Sequence, residues 1–336
     1  MTMTWEPGGS TGTEPIADTP TGAPTAAVEG RSLGRIAWNR LRKDKLAIVG
    51  GIIVILLILI AIFAPLLTSI EGASENGINT NLIDPNLQIP IGGMGGISSQ
   101  HWLGIDLPEG RDLFSRIAYG ARVSLGIAFL STLLALVIGV VLGMVAGYFG
   151  GWIDSVISRT MDVMLAFPVL LFAISLSDVL SGTNAFGLNG NSLHFVLLVF
   201  VIGFFSWPYI GRIIRGQVIG LKEREFIDAA RSLGAKPSRI LFKEILPNLV
   251  APILIYATLL IPTNILFEAA LSFLGVGMKD PTPSWGQMID QAVNNGLFQV
   301  DPEFLIVPGV AIFLTVLAFN LLGDGLRDAL DPKASR

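Results

Sequence analysis

Residues 46–68 read Leu-Ala-Ile-Val-Gly-Gly-Ile-Ile-Val-Ile-Leu-Leu-Ile-Leu-Ile-Ala-Ile-Phe-Ala-Pro-Leu-Leu-Thr, a run of 23 without a single charge. A hydrocarbon core ~30 Å thick is crossed by about 20 helical residues. This run therefore predicts a membrane-spanning helix. Five more segments follow the same logic. Val123–Gly147 is a second uncharged run. A third span, near 157–180, is weaker, with Asp162 and Asp178 at its edges and Pro168 inside as a candidate kink. Leu193–Gly211, Leu249–Met278 (broken by Glu268) and Phe304–Gly323 complete an all-α polytopic membrane protein of about six spans.

Composition agrees. The chain has 336 residues, 51% hydrophobic and only 14% charged, against roughly 25% charged in soluble domains. With no cysteine, disulfides and thiolate metal sites are excluded. His101 and His194 are far apart and carry no ligand spacing, so they read as structural and no metal site is expected. No Gly-rich loop ending in Lys-Ser or Lys-Thr is present, so the chain should not bind ATP through a P-loop. Nothing in it suggests nucleic acid as a partner.

Residues 1–30 are rich in Gly, Thr, Pro and Ala and read as a disordered cytoplasmic tail rather than a secretory signal. Residues 31–45 carry six Lys and Arg among Leu33, Ile36, Ala37 and Leu41 at helical spacing. They fit either a basic amphipathic helix on the lipid surface or a plain positive-inside anchor. Residues 69–120 form a polar outer loop, and 121–330 the remaining five spans. Of 22 Lys and Arg, only Arg111, Arg116, Arg122 and Lys279 fall on one side of a six-span arrangement. The positive-inside rule then puts both termini and residues 221–248 in the cytoplasm. In the second span, Ala135, Gly139, Gly143 and Gly147 recur every four residues, as for close helix packing or a hinge.

Residues 221–248 are both charged and ordered. Phe226, Ala229, Ala230 and Leu233 form an apolar stripe at i, i+3, i+4 and i+7. Gly234 suits a left-handed cap and Pro237 the first turn of a second helix. Helix, turn and helix precede Pro247, at the start of span five. The stretch resembles the signature loop of binding-protein-dependent importer permeases: Glu-Ala-Ala, three residues, Gly, nine residues, Ile-x-Leu-Pro. The pattern falls on Asp228, Ala229, Ala230, Gly234, Glu244, Leu246 and Pro247, with Asp228 in place of Glu and Glu244 in place of Ile.

Two further segments resemble the second permease subunit of ABC-type dipeptide, oligopeptide and nickel importers. One is His101, Leu103, Gly104, Asp106, Gly110, Arg111, Asp112, Ser115, Arg116, Gly120, Ala121, Arg122, Ser124 and Leu125. The other runs from Glu268 through Leu271–Gly275 and Gly277 to Pro283, Ser284, Trp285 and Gly286. Asp106, Arg111, Asp112 and Arg116 read as an exposed charge network shaping the outer loop, each pair contributing about 0–1 kcal/mol. Glu268 lies inside an apolar helix, where a carboxylate suggests function. It could serve structure or gating, line the path, pair with another chain or carry protons; Asn264, Asn320 and Asp324 are weaker candidates.

The resemblance implies a type I importer permease fold in the inner membrane. It implies a heterodimer with a sister permease, two ATPase subunits holding ATP and magnesium, and an extracytoplasmic substrate-binding protein. It assigns Glu225, Asp228, Ala229, Ala230, Gly234, Glu244, Leu246 and Pro247 to ATPase coupling, and Asp106, Arg111, Asp112, Arg116, Glu268 and Trp285 to the outer loop and gate. No catalytic residue, cofactor or metal is expected on this chain. Peptides are the implied cargo, with nickel chelates or other solutes open. The rivals are a proton-coupled transporter using Glu268 and a membrane enzyme.

Overall fold

The computed structural model describes residues 38–92, 94–180, 187–188 and 190–330. The expected tail 1–30, and the part of the basic helix before Trp38, lie outside the described residues. Residues 38–41 form one helical turn, and the chain then breaks before the first span. Asp44 explains the break: its carboxylate accepts from Leu46 N at 2.9 Å and Ala47 N at 3.2 Å, starting a new helix.

Helix α1, Lys45–Glu71, ends at Gly72, whose left-handed φ of 84° terminates it. Helix α2 is Leu113–Phe149, so the outer loop closes at Asp112, the helix cap, rather than at residue 120. Helices α3 (Gly151–Ala166) and α4 (Val169–Leu180) replace the weak third span. They bend by 78° across Phe167 and Pro168. Helix α5 is Gly190–Leu221 and α6 is Glu225–Ser232. Helix α7 runs Pro237–Phe273, with a π-helical stretch over Ile240–Ile245. Helix α8 is Trp285–Asn294 and α9 is Glu303–Leu330. Among the described residues, β-structure is limited to isolated bridges such as Ile83 with Pro90 and Ile105 with Asp112.

The small-residue stripe of α2 fixes its pairing with α5. A Cβ on Gly139 would lie 2.9 Å from the Trp207 carbonyl oxygen, one on Gly143 2.6 Å from that of Gly211, and one on Gly147 2.8 Å from that of Arg215. Only glycine permits this approach, as in close-packed membrane helices. Rising numbers on α2 meet rising numbers on α5, so the two helices are parallel. The chain between them must return across the bundle, and α3 with α4 is the segment that does so. The bent pair is therefore a broken span, and among the described residues the crossings number six. It breaks because Pro168 has no N–H to give the helix and restricts Phe167 to extended backbone, φ −76° and ψ 133°.

Helix α1 packs antiparallel on α9: a Cβ on Gly50 would touch the Ala318 carbonyl, and one on Gly325 would touch Ala47. Asn264 of α7 bonds Ser131 and Thr132 of α2 at 3.2 and 2.9 Å, while Glu268 reaches Ser124, so α7 runs opposite to α2. One end of the bundle thus gathers the start of α1, the ends of α2, α5 and α9, and α6. The other end holds residues 72–112 and 274–302. Exposed Leu46, Ile52, Ile55, Ile62 and Leu66 on α1 are the apolar surface expected against lipid.

Candidate coupling and gating sites

Helix α6 begins where Arg224 is extended and ends at Leu233. Gly234 follows at φ 78°, a left-handed position that opens the turn; its N–H bonds Arg231 O at 2.9 Å. Ala235 N bonds Ala230 O at 3.0 Å, closing a helix-ending motif. Pro237 then starts α7. The expected second loop helix is not a separate element. It is the first two turns of α7, continuous with span five, and Glu244, Leu246 and Pro247 lie along it.

This turn is anchored from below and open above. Ile227 is fully buried, in a core with Ile240, Leu241, Ile245, Val218 and Met144, and Ala230 packs on the same core. The other stripe residues, Phe226, Ala229 and Leu233, do the opposite. Leu233 is 89% exposed and Phe226 41%, and Ala229 is exposed between them. Glu225 and Asp228 stand at the start of α6 and Arg231 in its last turn, with Asp228 3.3 Å from Arg231. The result is an apolar ridge rimmed by charge on a fixed base. Nearby, Arg215 of α5 holds Asp154 of α3, with Nη2 to Oδ2 at 2.6 Å.

The charges at the far end are buried, not exposed as the sequence suggested. Asp106, Arg111, Asp112 and Arg116 are each no more than 3% exposed. Asp106 accepts from the Arg111 backbone N–H and Nε, both at 2.8 Å, and lies 3.2 Å from Arg116 Nε. Burial pushes the Asp106 carboxyl up from its ordinary value, against the pull of Arg116 and Arg111. Asp280, from the segment between α7 and α8, bonds Arg111 Nη1 at 2.7 Å. Burial raises Asp280, but the bond to Arg111, the Arg111 and Arg116 charges and the Gln291 bond together outweigh it and hold the carboxyl below the usual range.

Asp112 does not join this network. Its Oδ1 caps α2 through Ser115 N at 2.6 Å, and its Oδ2 bonds His101 Nδ1 at 2.9 Å. Burial of these charges is tolerated because each carboxylate meets a partner: Asp106 has Arg111 and Arg116, and Asp112 has His101 and the α2 cap.

Glu268 is fully buried. Ser272 and Ser284 each donate to Oε1 at 2.9 Å, and Ser124 donates to Oε2 at 3.2 Å. Ser124 also accepts from Trp285 N at 3.1 Å, and Trp285 Nε1 donates to Ile117 O at 3.1 Å. Ser284 caps α8 by accepting from Gln287 N. The glutamate thus ties α2, α7 and α8 together, with its partners inside this chain. Trp285 seats on Gly120, where a Cβ would come within 3.1 Å of the indole. The sequence reading singled out Glu268 and Trp285 but not the three serines or Asp280. Ser124, Ser272 and Ser284 stood among the matched motif residues, but only the fold shows that they converge. Of the weaker candidates, Asn264 is buried between Ser131, Thr132 and Ser206.

Residues 139–336 match the binding-protein-dependent transport system inner membrane component family. Residues 32–87 match the N-terminal TM domain of oligopeptide transport permease C. The chain is 46% identical over 299 residues to the dipeptide transport system permease protein DppC of Alkalihalophilus pseudofirmus, covering 89% of this chain and 90% of that one. It is 45% identical over 303 residues to the glutathione transport system permease protein GsiD of Salmonella typhimurium, covering 90% and 91%. Among solved structures, an inward-facing MetNI methionine ABC transporter in its native crystal form aligns with 64% of this chain and 96% of its own, at 23% identity and a TM-score of 0.46. The family models and the relatives agree, and the chain belongs to the binding-protein-dependent inner membrane components, the permease subunits of ABC importers.

Proposed function

We propose that this permease moves short peptides inward, and that α6 with the turn at Gly234 is where separate ATPase subunits drive it. The observation that carries the coupling assignment is the ridge of Phe226, Ala229 and Leu233, exposed on a helix whose opposite face is locked into the core by Ile227. A docked groove would cover the ridge, and Glu225, Asp228 and Arg231 would orient it. Motion of α6 would pass directly into span five, because Glu244, Leu246 and Pro247 continue the same helix.

The proposed assembly is one sister permease, two ATPase subunits carrying ATP and magnesium, and an extracytoplasmic binding protein that delivers cargo. Both termini and α6 face the cytoplasm, following the Lys and Arg asymmetry. ATP binding favours one of two bundle states, and transport follows as that preference alternates. Asp106, Arg111, Arg116, Asp112, Glu268 and Trp285 hold the opposite end of the bundle as one block, so that it moves as a unit.

The peptide class rests on the relatives, one a dipeptide and one a glutathione permease. The experiment is uptake of labelled dipeptide and glutathione into liposomes carrying the copurified complex and its binding protein. ATP-dependent uptake of either peptide is expected. ATP-dependent uptake of only a non-peptide solute would overturn the cargo class, and uptake driven by a proton gradient without ATP would overturn the mechanism. The proton-carrier role of Glu268 draws no support from its surroundings, a closed set of three hydroxyls.

A further inference from the structure

Between α1 and α2 lies a groove of about 340 Å³, lined by Ile58, Ala61, Ile62, Leu125, Gly126, Phe129 and Arg122. We propose that it is a binding site for one phospholipid, with the lipid phosphate on Arg122 and an acyl chain against the apolar wall.

Three observations converge on that occupant. The first is charge. Arg122 is exposed, and its guanidinium lies 5.6 Å over the Tyr119 ring. Among the described residues no carboxylate lies within ion-pair distance of it, whereas Arg111 and Arg116, the neighbouring outer-loop arginines, each engage carboxylates. The second is depth. The uncharged run of α2 begins at Val123, immediately after Arg122. Arg122 lies about nine residues into α2 and Ile62 about nine short of the end of α1, each ~13 Å from its helix end. The cation therefore stands at the head of the uncharged run of α2, with exposed Leu66 and Ile70 of α1 continuing past its level. An arginine inside the hydrocarbon would cost about 2.5–3.5 kcal/mol on insertion scales, which a phosphate partner relieves.

The third is shape and chemistry. The wall below Arg122 is aliphatic and aromatic, with Ile62 60% and Phe129 37% exposed along it. An extended peptide in the groove would need its own polar groups satisfied at hydrocarbon depth, and an acyl chain has none. The guanidinium fork matches a phosphate in bidentate geometry. A lipid held here would wedge α1 against α2, the helix that carries the Ser124 bond to Glu268.

The test is native mass spectrometry of the full-length chain, with any subunits that copurify, in detergent titrated with phosphatidylglycerol. One tightly retained lipid per chain is expected. Arg122→Gln should weaken it about tenfold, the equivalent of one charge-assisted bond. Ile62→Glu, at an exposed position, should do the same by placing a carboxylate beside Arg122, and it serves if Arg122→Gln fails to accumulate. Arg159→Gln, on α3 at the opposite end, should leave retention unchanged. Wild-type retention in either folded groove variant, or an equal loss in Arg159→Gln, would overturn the proposal. So would a copurifying subunit that shields Arg122 while no lipid is retained.

Discussion

Asp106 sits with two guanidinium groups in a pocket that excludes water, and that setting makes the residue costly to change. Replacing it by leucine leaves Arg111 and Arg116 facing each other across a low-dielectric gap, with Asp280 as their main remaining counter-charge. Loss of one member of a buried ion cluster costs about 3–5 kcal/mol, so Asp106→Leu should lower the melting temperature in detergent and resist rescue by salt. A salt-sensitive or unchanged melting curve would mean that the pairs are solvated. Asp301 offers a pH readout. Burial, then its neighbour Glu303, pushes its carboxyl up to about 7 from the ordinary aspartate value of 3.8. The folded chain therefore holds a proton that the unfolded chain has lost, and stability falls as pH rises from about 4 to about 7. Asp301→Asn should flatten that decline and melt above the parent at pH 8; a parallel decline in both would assign the pH dependence elsewhere. At this scale the sequence singled out Asp106, Arg111 and Arg116 but neither Asp280 nor Asp301, and it did not give their burial, because Arg116 meets Asp280, Pro281 and Gln287 only when the chain folds back.

Helices carry the next level of the argument. The stripe Ala135, Gly139, Gly143 and Gly147 was readable as a packing face from its spacing, and α5 does lie on it. What spacing could not give was the parallel direction of α5, which follows from the pairing of glycines with Trp207, Gly211 and Arg215. Gly143→Leu would drive a side chain into the Gly211 carbonyl, and overpacking of this kind costs about 1–3 kcal/mol or more. The variant should accumulate poorly and lose the α2–α5 contact in disulfide mapping, whereas full accumulation would show that the helices can separate freely. The boundary between α6 and α7 was only half legible. Gly234 and Pro237 announced a turn, but nothing local said that the second helix would merge with span five across the π-helical Ile240–Ile245. Leu233→Glu tests α6 itself: it alters an exposed ridge residue, so the fold should persist while ATP-driven uptake falls at least about tenfold. Unimpaired uptake would remove the ridge from coupling.

For the whole molecule, six crossings follow from the parallel α2 and α5, and they explain why the weak third span had to exist. The hydropathy of 157–180 left it doubtful because Pro168 splits it into two short helices, neither long enough to cross alone. The same topology collects α6, the start of α1 and the end of α9 at one end, and the buried ion cluster with Glu268 at the other. The proposed coupling and gating groups thus occupy opposite ends of one bundle, linked by α7, which runs from the Gly234 turn to Glu268. The most direct test of that account is cross-linking from Leu233→Cys in the complex purified from native membranes. A bridge from this position to a P-loop ATPase subunit, lost when Cys is moved to exposed Met94 at the far end, is the predicted result. Cross-linking from Met94→Cys instead, or a chain that purifies alone and yields no bridge from position 233, would contradict it.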